Sequence, residues 1–487
     1  MSAPSRERLS PVDTAWLRMD RPGNLMMICG VLVLSGRVSI ARLRRVITER
    51  FLTFSRFACM PHEAAGAAYW VRDEDFRIAA HVVAARLPAP GGEAELQAFV
   101  STLMSEPLPA AGARWQFHLI DGYRDGSAIV VRIHHSYADG IALVRVMLSM
   151  TDAGPDGPPA MPFAPRARRS ATRANDEYSG WLAPVDDALG LARRLAGAVV
   201  SKGVAVWSDP AKAVELAGKG TALTAELARL ALMRQDSPTR FKGTVAPHKR
   251  VAWGEPLVLD EVKAVARALG ASVNDVLLAG VAGALRDYLL ERGDAVEGVF
   301  VRALVPVNLR PLEEAWRLGN RFGLVFLDLP LDLANPVERL YAVRANMRAL
   351  RDSYEPVVAL ALLAAMGAGP RALQEALLVT LARNATAVMT NVPGPQQPLY
   401  LAGRRIDNMM FWVPQSGDIG MGVSILSYGG KVQFGIVTDA GLCPDPERIV
   451  VRFPEEFEKL LLTTLMVPWP AAGEDLDPAV AEAAVAQ

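Results

Sequence analysis

Two adjacent histidines, His134 and His135, open the segment HHSYADG at residues 134–140 and are the groups best placed to do chemistry. A free imidazole can take a proton from an alcohol or a thiol near neutral pH. From Ala128 to His135 the residues alternate, so Val131, Ile133 and His135 fall on one face of a strand. Val130, Arg132 and His134 fall on the other, and the two histidines cannot share a pocket while the strand lasts. Ser136 to Gly140 read as a turn and Ile141 onward as a helix. His135 therefore sits where a buried strand runs into a turn, able to project into a cavity. Asp139 could fix that turn by pairing with an arginine, and Gly140 permits its tightness. The H-x-x-x-D spacing alone arises easily by chance. It gains weight because the 487 residues hold only six His, and because an apolar strand precedes the pair. The competing interpretation is a hydrogen-bonded core histidine. A metal site is not expected, since three Cys and four other scattered His show no ligand spacing.

The elements that must position this segment follow from patterning. LSPVDTAWLRMDRPGNLMMICGVLVLSG (9–36) predicts a short helix and then a buried strand from Met26 to Leu34. An amphipathic helix over 41–51 points Leu43, Val46, Ile47 and Phe51 inward. Residues 70–82 alternate like a strand and its approach, Glu93 to Ser105 reads as a helix, and 115–122 as a strand. Gly122 to Gly126 form the hairpin turn into the histidine strand. Residues 1–151 thus read as one α/β domain. The Pro-, Ala- and Arg-rich stretch from 152 begins a linker to residue 240, with helical patterns at 179–203 and 210–235.

A second α/β domain is expected over 241–467. Its helix 262–270 closes at Gly270. Ser272 and Asp275 then cap a long helix whose first turn carries Asn274 and Asp275. Free amides and the positive dipole end attract negative charge there. Strands are expected at 299–310, 319–330 and 387–395, a helix at 335–351, and a hairpin over 421–439 turning at Gly429-Gly430. The acidic, Ala-rich tail 468–487 reads as disordered.

Formal net charge is zero, so no global basic field argues for nucleic acid. Residues 160–250 nevertheless hold fifteen Lys/Arg against eight Asp/Glu, either a solvated linker face or a surface for anionic lipid or phosphorylated substrate. Cys29, Cys59 and Cys443 are too scattered for a disulfide scaffold, which fits a reducing cytosol. No stretch reaches the roughly 20 apolar residues of a membrane span. Residues 357–369 and 378–389 read as buried helices, and the N-terminus lacks the apolar core of a signal peptide.

HHSYADG resembles the HHxxxDG motif of the bacterial wax ester synthase/diacylglycerol acyltransferase family, within the chloramphenicol-acetyltransferase-like fold. LSPVDTAWLRMDRPGNLM resembles that family's opening, and SVNDVLLAGVAGALRDYL its Asn-Asp helix. VPVNLR, GNRFG, TNVPGP, LYLAG and SYGG follow in the family's order, so the resemblance spans about residues 9–463. One motif departs: where the family shows Pro-Leu-Trp, this chain reads Ala113-Arg114-Trp115.

The resemblance implies two similar α/β domains joined by a helical linker, with a substrate tunnel at their interface. It implies long-chain acyl-CoA as a substrate, no cofactor, and diacylglycerol or a long-chain alcohol as acceptor. His135 would take the acceptor proton as the hydroxyl attacks the thioester, and return it to the thiolate. Asp139 would organise the site, His134 support it, and Asn274 donate to the oxyanion. Gly140, Asp275, Asn391 and Trp115 are candidate substrate contacts, and Asn391 with Pro393 and Gly394 would shape a crossover between the halves. The acceptors imply a cytoplasmic protein in peripheral contact with the inner membrane or a lipid droplet, through the basic linker. Two alternatives stay open: a condensation-type enzyme fed by a carrier protein, and a lipid-surface binding protein without catalysis. A serine hydrolase is disfavoured, since no G-x-S-x-G elbow is present.

Overall fold

Alternating apolar residues place Met27–Leu34 and Gly126–His134 side by side at the centre of a sheet. They do so in a computed structural model that describes residues 6–64, 66–160, 229–230, 232–310, 318–351, 353 and 355–466. The first half runs β1 (Arg6–Arg8), α1 (Pro11–Arg18), β2 (Met27–Leu34), α2 (Ile40–Glu49), β3 (Cys59–Ala64) and β4 (Ala67–Arg72). It continues through α3 (Ile78–His81), β5 (Val82–Ala85), α4 (Glu93–Ser105), β6 (Trp115–Tyr123), β7 (Gly126–His134) and α5 (Gly140–Ser149). The helix expected at 179–203, most of that at 210–235, and the tail from 468 lie outside the described residues.

The second half begins with β8 (Lys249–Trp253), β9 (Leu257–Val258), α6 (Leu259–Ala268), α7 (Val273–Glu291), β10 (Phe300–Asn308) and β11 (Phe322–Pro330). Then come α8 (Pro336–Arg351), α9 (Glu355–Ala368), α10 (Arg371–Arg383), β12 (Ala387–Pro393), β13 (Tyr400–Leu401) and β14 (Arg404–Trp412). The chain closes with β15 (Met421–Tyr428), β16 (Lys431–Asp439), α11 (Glu447–Val450) and α12 (Arg452–Met466).

The strands form a first sheet ordered β13-β14-β2-β7-β6-β5 and a second ordered β11-β10-β12-β15-β16-β8, with β9 on β16 and β1-β4-β3 apart. The second sheet is mixed, because β12 runs parallel to both β10 and β15. One exchange ties the halves together. Residues 400–412 follow β12 of the second sheet, yet cross over to extend the first, with Phe411 opposite Gly30 and Trp412 opposite Cys29. The sequence division assigns them to the second domain. Their physical home is the open edge of β2, whose free amides and carbonyls a strand can satisfy. The alternation Met409/Phe411 against Met410/Trp412 lets both faces of β14 be covered there.

Each sheet has two differently covered faces. On the first, Ile28, Leu32, Val131 and Ile133 pack toward α2 and α5, while Met27, Cys29, Val31 and Val130 meet α4 and the edge of the second sheet. On the second, Ala387, Met389 and Val423 pack with α6, α7, α8 and α12, while Val388, Leu304 and Phe326 turn to α1 and α9. The face carrying Val388 is the one that looks toward the first half.

Two local expectations need adjusting. Residues 70–82 do not run as one strand, because the Asp73 side chain accepts the Asp75 amide at 3.1 Å and turns the chain after Arg72. The first hairpin turns at Arg124 and Asp125, whose positive φ of 47° and 64° suit a two-residue turn. Gly122 instead sits at a register shift within β6. Gly429 and Gly430 do form the other hairpin turn, at φ 57° and 79°. The apolar stretch at 357–369 is the buried helix α9, and no single helix among the described residues is long and apolar enough to cross a membrane.

Candidate active site

The site is built where β7 ends. The His135 amide donates to the Met26 carbonyl at 2.7 Å, which keeps the backbone in strand register one residue past the strand itself. Its ring is buried and stacks on Trp16 of α1, with centroids 4.1 Å apart and planes inclined by 20°. Phe322 of β11 closes a second side at 5.7 Å. Burial among these rings pushes the His135 pKa down to about 3; the nearby His134 adds to that, and its own carbonyl and Asn320 oppose it only in part. The imidazole is therefore neutral across the whole physiological range, with a ring nitrogen lone pair free of a proton.

Three buried polar atoms in this cluster have no protein partner: His135 Nδ1, Trp16 Nε1 and Asn320 Oδ1. Buried polar atoms are nearly always paired, so such a group leaves donors and acceptors that a water or a bound molecule can meet.

A loop from the second half clasps the turn. Asn320 Nδ2 donates to the His135 carbonyl at 2.9 Å and to Asp13 Oδ1 at 2.7 Å, and the Asn320 amide donates to the same oxygen at 3.0 Å. Asp13 lies in the first turn of α1, capped by Ser10, so α1, β7 and the 319–322 loop meet in one network. Burial raises the Asp13 pKa, against the opposing pull of Arg56 and the Asn320 bonds. Gly319 has φ 106°, a conformation that favours glycine, and exchanges backbone bonds with Tyr137 and Asp139.

Asp139 does three structural jobs. Its Oδ1 accepts the Ala142 amide at 2.9 Å and caps α5. Its Oδ2 accepts Arg310 Nη2 at 2.8 Å and the Arg321 amide at 3.0 Å, both from the second half. Arg310 and Asp139 are both buried, and Arg310 also donates to the Gly319 carbonyl at 2.6 Å. The HHxxxDG turn is thus welded across the interface.

His134 points away from His135, as the alternation requires. Its Nδ1 accepts the Ser136 amide at 3.1 Å, which assigns the proton to Nε2, 3.7 Å from Asp20 Oδ2. Burial lowers its pKa, opposed by Asp20, while Asp20 itself is held below the usual carboxylate range by His134 despite its burial. This pair supports the strand end, where Asp20 Oδ1 also accepts the Met26 amide at 2.9 Å.

Other sequence candidates take different places. Gly140 is the first residue of α5 and lines a narrow apolar cavity together with Val131, Ile133, Leu143, Thr390 and Ser424. A Cβ built on Gly140 would meet nothing within 4 Å. Trp115 is fully buried in the first half's core: it donates to the Phe57 carbonyl at 2.7 Å and packs against Phe51, Phe117 and His81. Asp275 is spent on a capping box, accepting the Ser272 amide at 2.8 Å. Asn274 Oδ1 accepts Asn391 Nδ2 at 2.5 Å, a bond from α7 to β12. Alternation along β12 puts Asn391 with Ala387 and Met389, on the face covered by α7. That is the opposite face from Val388, and not where an oxyanion donor for His135 belongs.

Trp16, Asn320, Arg310 and Phe322 were not singled out from sequence, although LSPVDTAW, VPVNLR and GNRFG contain them. The one signal available was a polar-glycine cluster, GNRFG, at the start of an otherwise apolar strand.

Residues 9–277 match the wax ester synthase/diacylglycerol acyltransferase catalytic domain, and residues 318–461 the WS/DGAT C-terminal domain. A putative diacylglycerol O-acyltransferase of Mycobacterium tuberculosis H37Rv is 28% identical over 478 residues, covering 93% of this chain and 90% of that protein. A second, probable diacylglycerol O-acyltransferase of the same strain is 27% identical over 403 residues, covering 81% and 82%. The fold is similar to that of the wax ester synthase/diacylglycerol acyltransferase from Marinobacter aquaeolei VT8, with TM-score 0.65, 22% identity, and 94% and 99% of the two chains covered. It is also similar to the first condensation domain of the calcium-dependent antibiotic synthetase, with TM-score 0.57, 14% identity, and 95% and 97% covered. With the catalytic-domain model spanning more than half its length, the chain belongs to the wax ester synthase/diacylglycerol acyltransferase family.

Proposed function

We propose that this family member transfers a long-chain acyl group from acyl-CoA to the hydroxyl of diacylglycerol or of a long-chain alcohol, with His135 as general base. The observation that carries this reading is a buried neutral imidazole at the end of the strand face whose Val131 and Ile133 wall an apolar cavity between the halves. His135 takes the acceptor proton as the hydroxyl oxygen attacks the thioester carbon. The tetrahedral intermediate then collapses, the C–S bond breaks, and the proton passes to the leaving thiolate. Such help is typically worth about 10²–10⁴-fold. Asp139, Arg310 and Asn320 touch no reacting atom in this scheme; they hold the ring in place.

Thiol release from palmitoyl-CoA, with dioleoylglycerol or hexadecanol as acceptor, tests the reading. We expect release that requires an acceptor, and the better acceptor names the reaction. A folded protein that ignores free acyl-CoA yet accepts acyl groups from a carrier protein would overturn it in favour of a condensation-type enzyme.

Both acceptors are apolar, so the reading also needs peripheral contact with a membrane or lipid droplet. We assign that contact to the basic segment 160–250, of which residues 161–228 lie outside the described residues. Flotation with anionic vesicles should weaken when the arginines at 166–194 are neutralised; unchanged binding would discard the assignment.

A further inference from the structure

The narrow cavity beside Gly140 does not stand alone. A second narrow cavity shares Val144, Met147, Val392, Phe411 and Leu426 with it. The strand registers put the two in series. On β2, Ile28 and Gly30 wall the first and Leu32 the second; Val413, just past β14, walls the first and Met409 of β14 the second. On α5 the walls run from Gly140 and Leu143 in the first to Leu148 in the second, with Thr151 just beyond the helix. At about 3.4 Å per strand residue, Ile28 to Leu32 alone spans roughly 14 Å. No charged residue lines either cavity, and the only side-chain hydroxyls are Thr390, Ser424 and Thr151.

Phe411 stands where the two cavities join. It pairs with Gly30 in the sheet, and a Cβ on Gly30 would lie 2.4 Å from the Phe411 ring. The ring therefore leans over the one β2 position without a side chain. Gly30 is what allows Phe411 its seat on the wall common to both cavities.

We propose that the two cavities form one bore for the acyl chain of the donor, and that Phe411, seated on Gly30, sets the chain length the enzyme accepts. The inference rests on the acyl-transfer reading above and adds its specificity element. A single ring is enough to divide the bore, so it admits one hydrocarbon chain at a time. Diacylglycerol carries two, whereas the acyl donor carries one whichever acceptor is used. The bore starts at the Gly140 turn, beside the residue that must meet the thioester, and the chain runs from there past Phe411 toward Thr151.

The test compares initial rates over saturated acyl-CoA donors from C8 to C20, with one fixed acceptor, for the wild type, Phe411→Leu, Phe411→Ala and Phe411→Trp. Removing the ring should raise the ratio of kcat/KM for C18 over C10 by about tenfold or more, the scale of a few methylenes in an apolar pocket. Phe411→Trp should lower it. The conservative Phe411→Leu variant, which keeps the site apolar and filled, guards against misfolding of the alanine variant. An unchanged donor profile in folded Leu and Ala variants would overturn the inference while leaving the transferase reading intact. So would a profile that moves only when alcohol length is varied, since that would make the bore the acceptor's.

A second readout needs no turnover. In a His135→Ala background, displacement of a fluorescent fatty acid by C8 to C20 fatty acids should show the same shift with Phe411→Leu. Were acyl-CoA not a substrate at all, this binding shift would still report on the bore, and its absence would sink the proposal.

Discussion

The His135 ring owes its chemistry to what surrounds it rather than to its own side chain. Stacked on Trp16 and walled by Phe322, it loses hydration, and with it the ordinary tendency to protonate near pH 6.5. The rate profile of the free enzyme should accordingly show no inflection near pH 6.5 between pH 6 and 8; a limb falling on the acid side near 6.5 would contradict the buried neutral base. Trp16 acts here through its face. Trp16→Phe should keep most of the activity, while Trp16→Leu should lower kcat far more than it changes KM, because an aliphatic chain fills space without orienting the imidazole. Gly140 makes a different kind of prediction. Since a Cβ there meets nothing, Gly140→Val should fold normally yet slow transfer of long acyl chains, seen as a raised KM at unchanged melting temperature.

At the level of elements, the strand, turn and helix around HHSYADG were readable because their signals are local. Alternation sets the faces, Asp-Gly sets the cap, and Ser272 with Asp275 shows the same logic at α7. What holds the turn in place was not readable. Arg310 and Asn320 lie 171 and 185 residues from their partners, and nothing in a single chain says which arginine an aspartate will find. The setting of Trp115 was hidden for a related reason: a tryptophan opening a strand suits a core or a binding wall equally, and its partners Phe51 and Phe57 lie far away in sequence. The crossover of β14 was likewise invisible, since its alternation fits either sheet. The weld at Asp139 carries a stability prediction. Removing one partner of a buried ion pair typically costs about 3–5 kcal/mol, so Arg310→Met should lower the unfolding free energy by about that much. Urea denaturation checks it, and a shift near zero would mean that the halves are held by packing alone.

Across the whole molecule, the buried histidines share a direction. His118 is pushed down to about 4 by burial and the Arg132 charge, His135 to about 3, and His134 is also lowered. The unfolded chain binds these protons below about pH 6.5, where the folded chain refuses them, so stability must fall as pH drops through that window. Each such group contributes about 1.4 kcal/mol per pH unit below 6.5 until its folded pKa is reached. Asp13 and Glu456, whose carboxyls burial raises, act in the opposite sense. The expected net result is a lower urea midpoint at pH 5.5 than at pH 7.5, and equal midpoints would show that these histidines are solvated.

The account centres on His135 taking a proton from the acceptor, and an acceptor that needs less help isolates that step. Transfer from palmitoyl-CoA to hexadecanol and to hexadecanethiol can be compared in the wild type and in His135→Ala. A thiol ionises far more readily than an alcohol, so loss of the base should cost about 10²–10⁴-fold with hexadecanol and much less with hexadecanethiol. An equal loss with both acceptors would make His135 a structural residue, and no loss with either would remove it from the reaction.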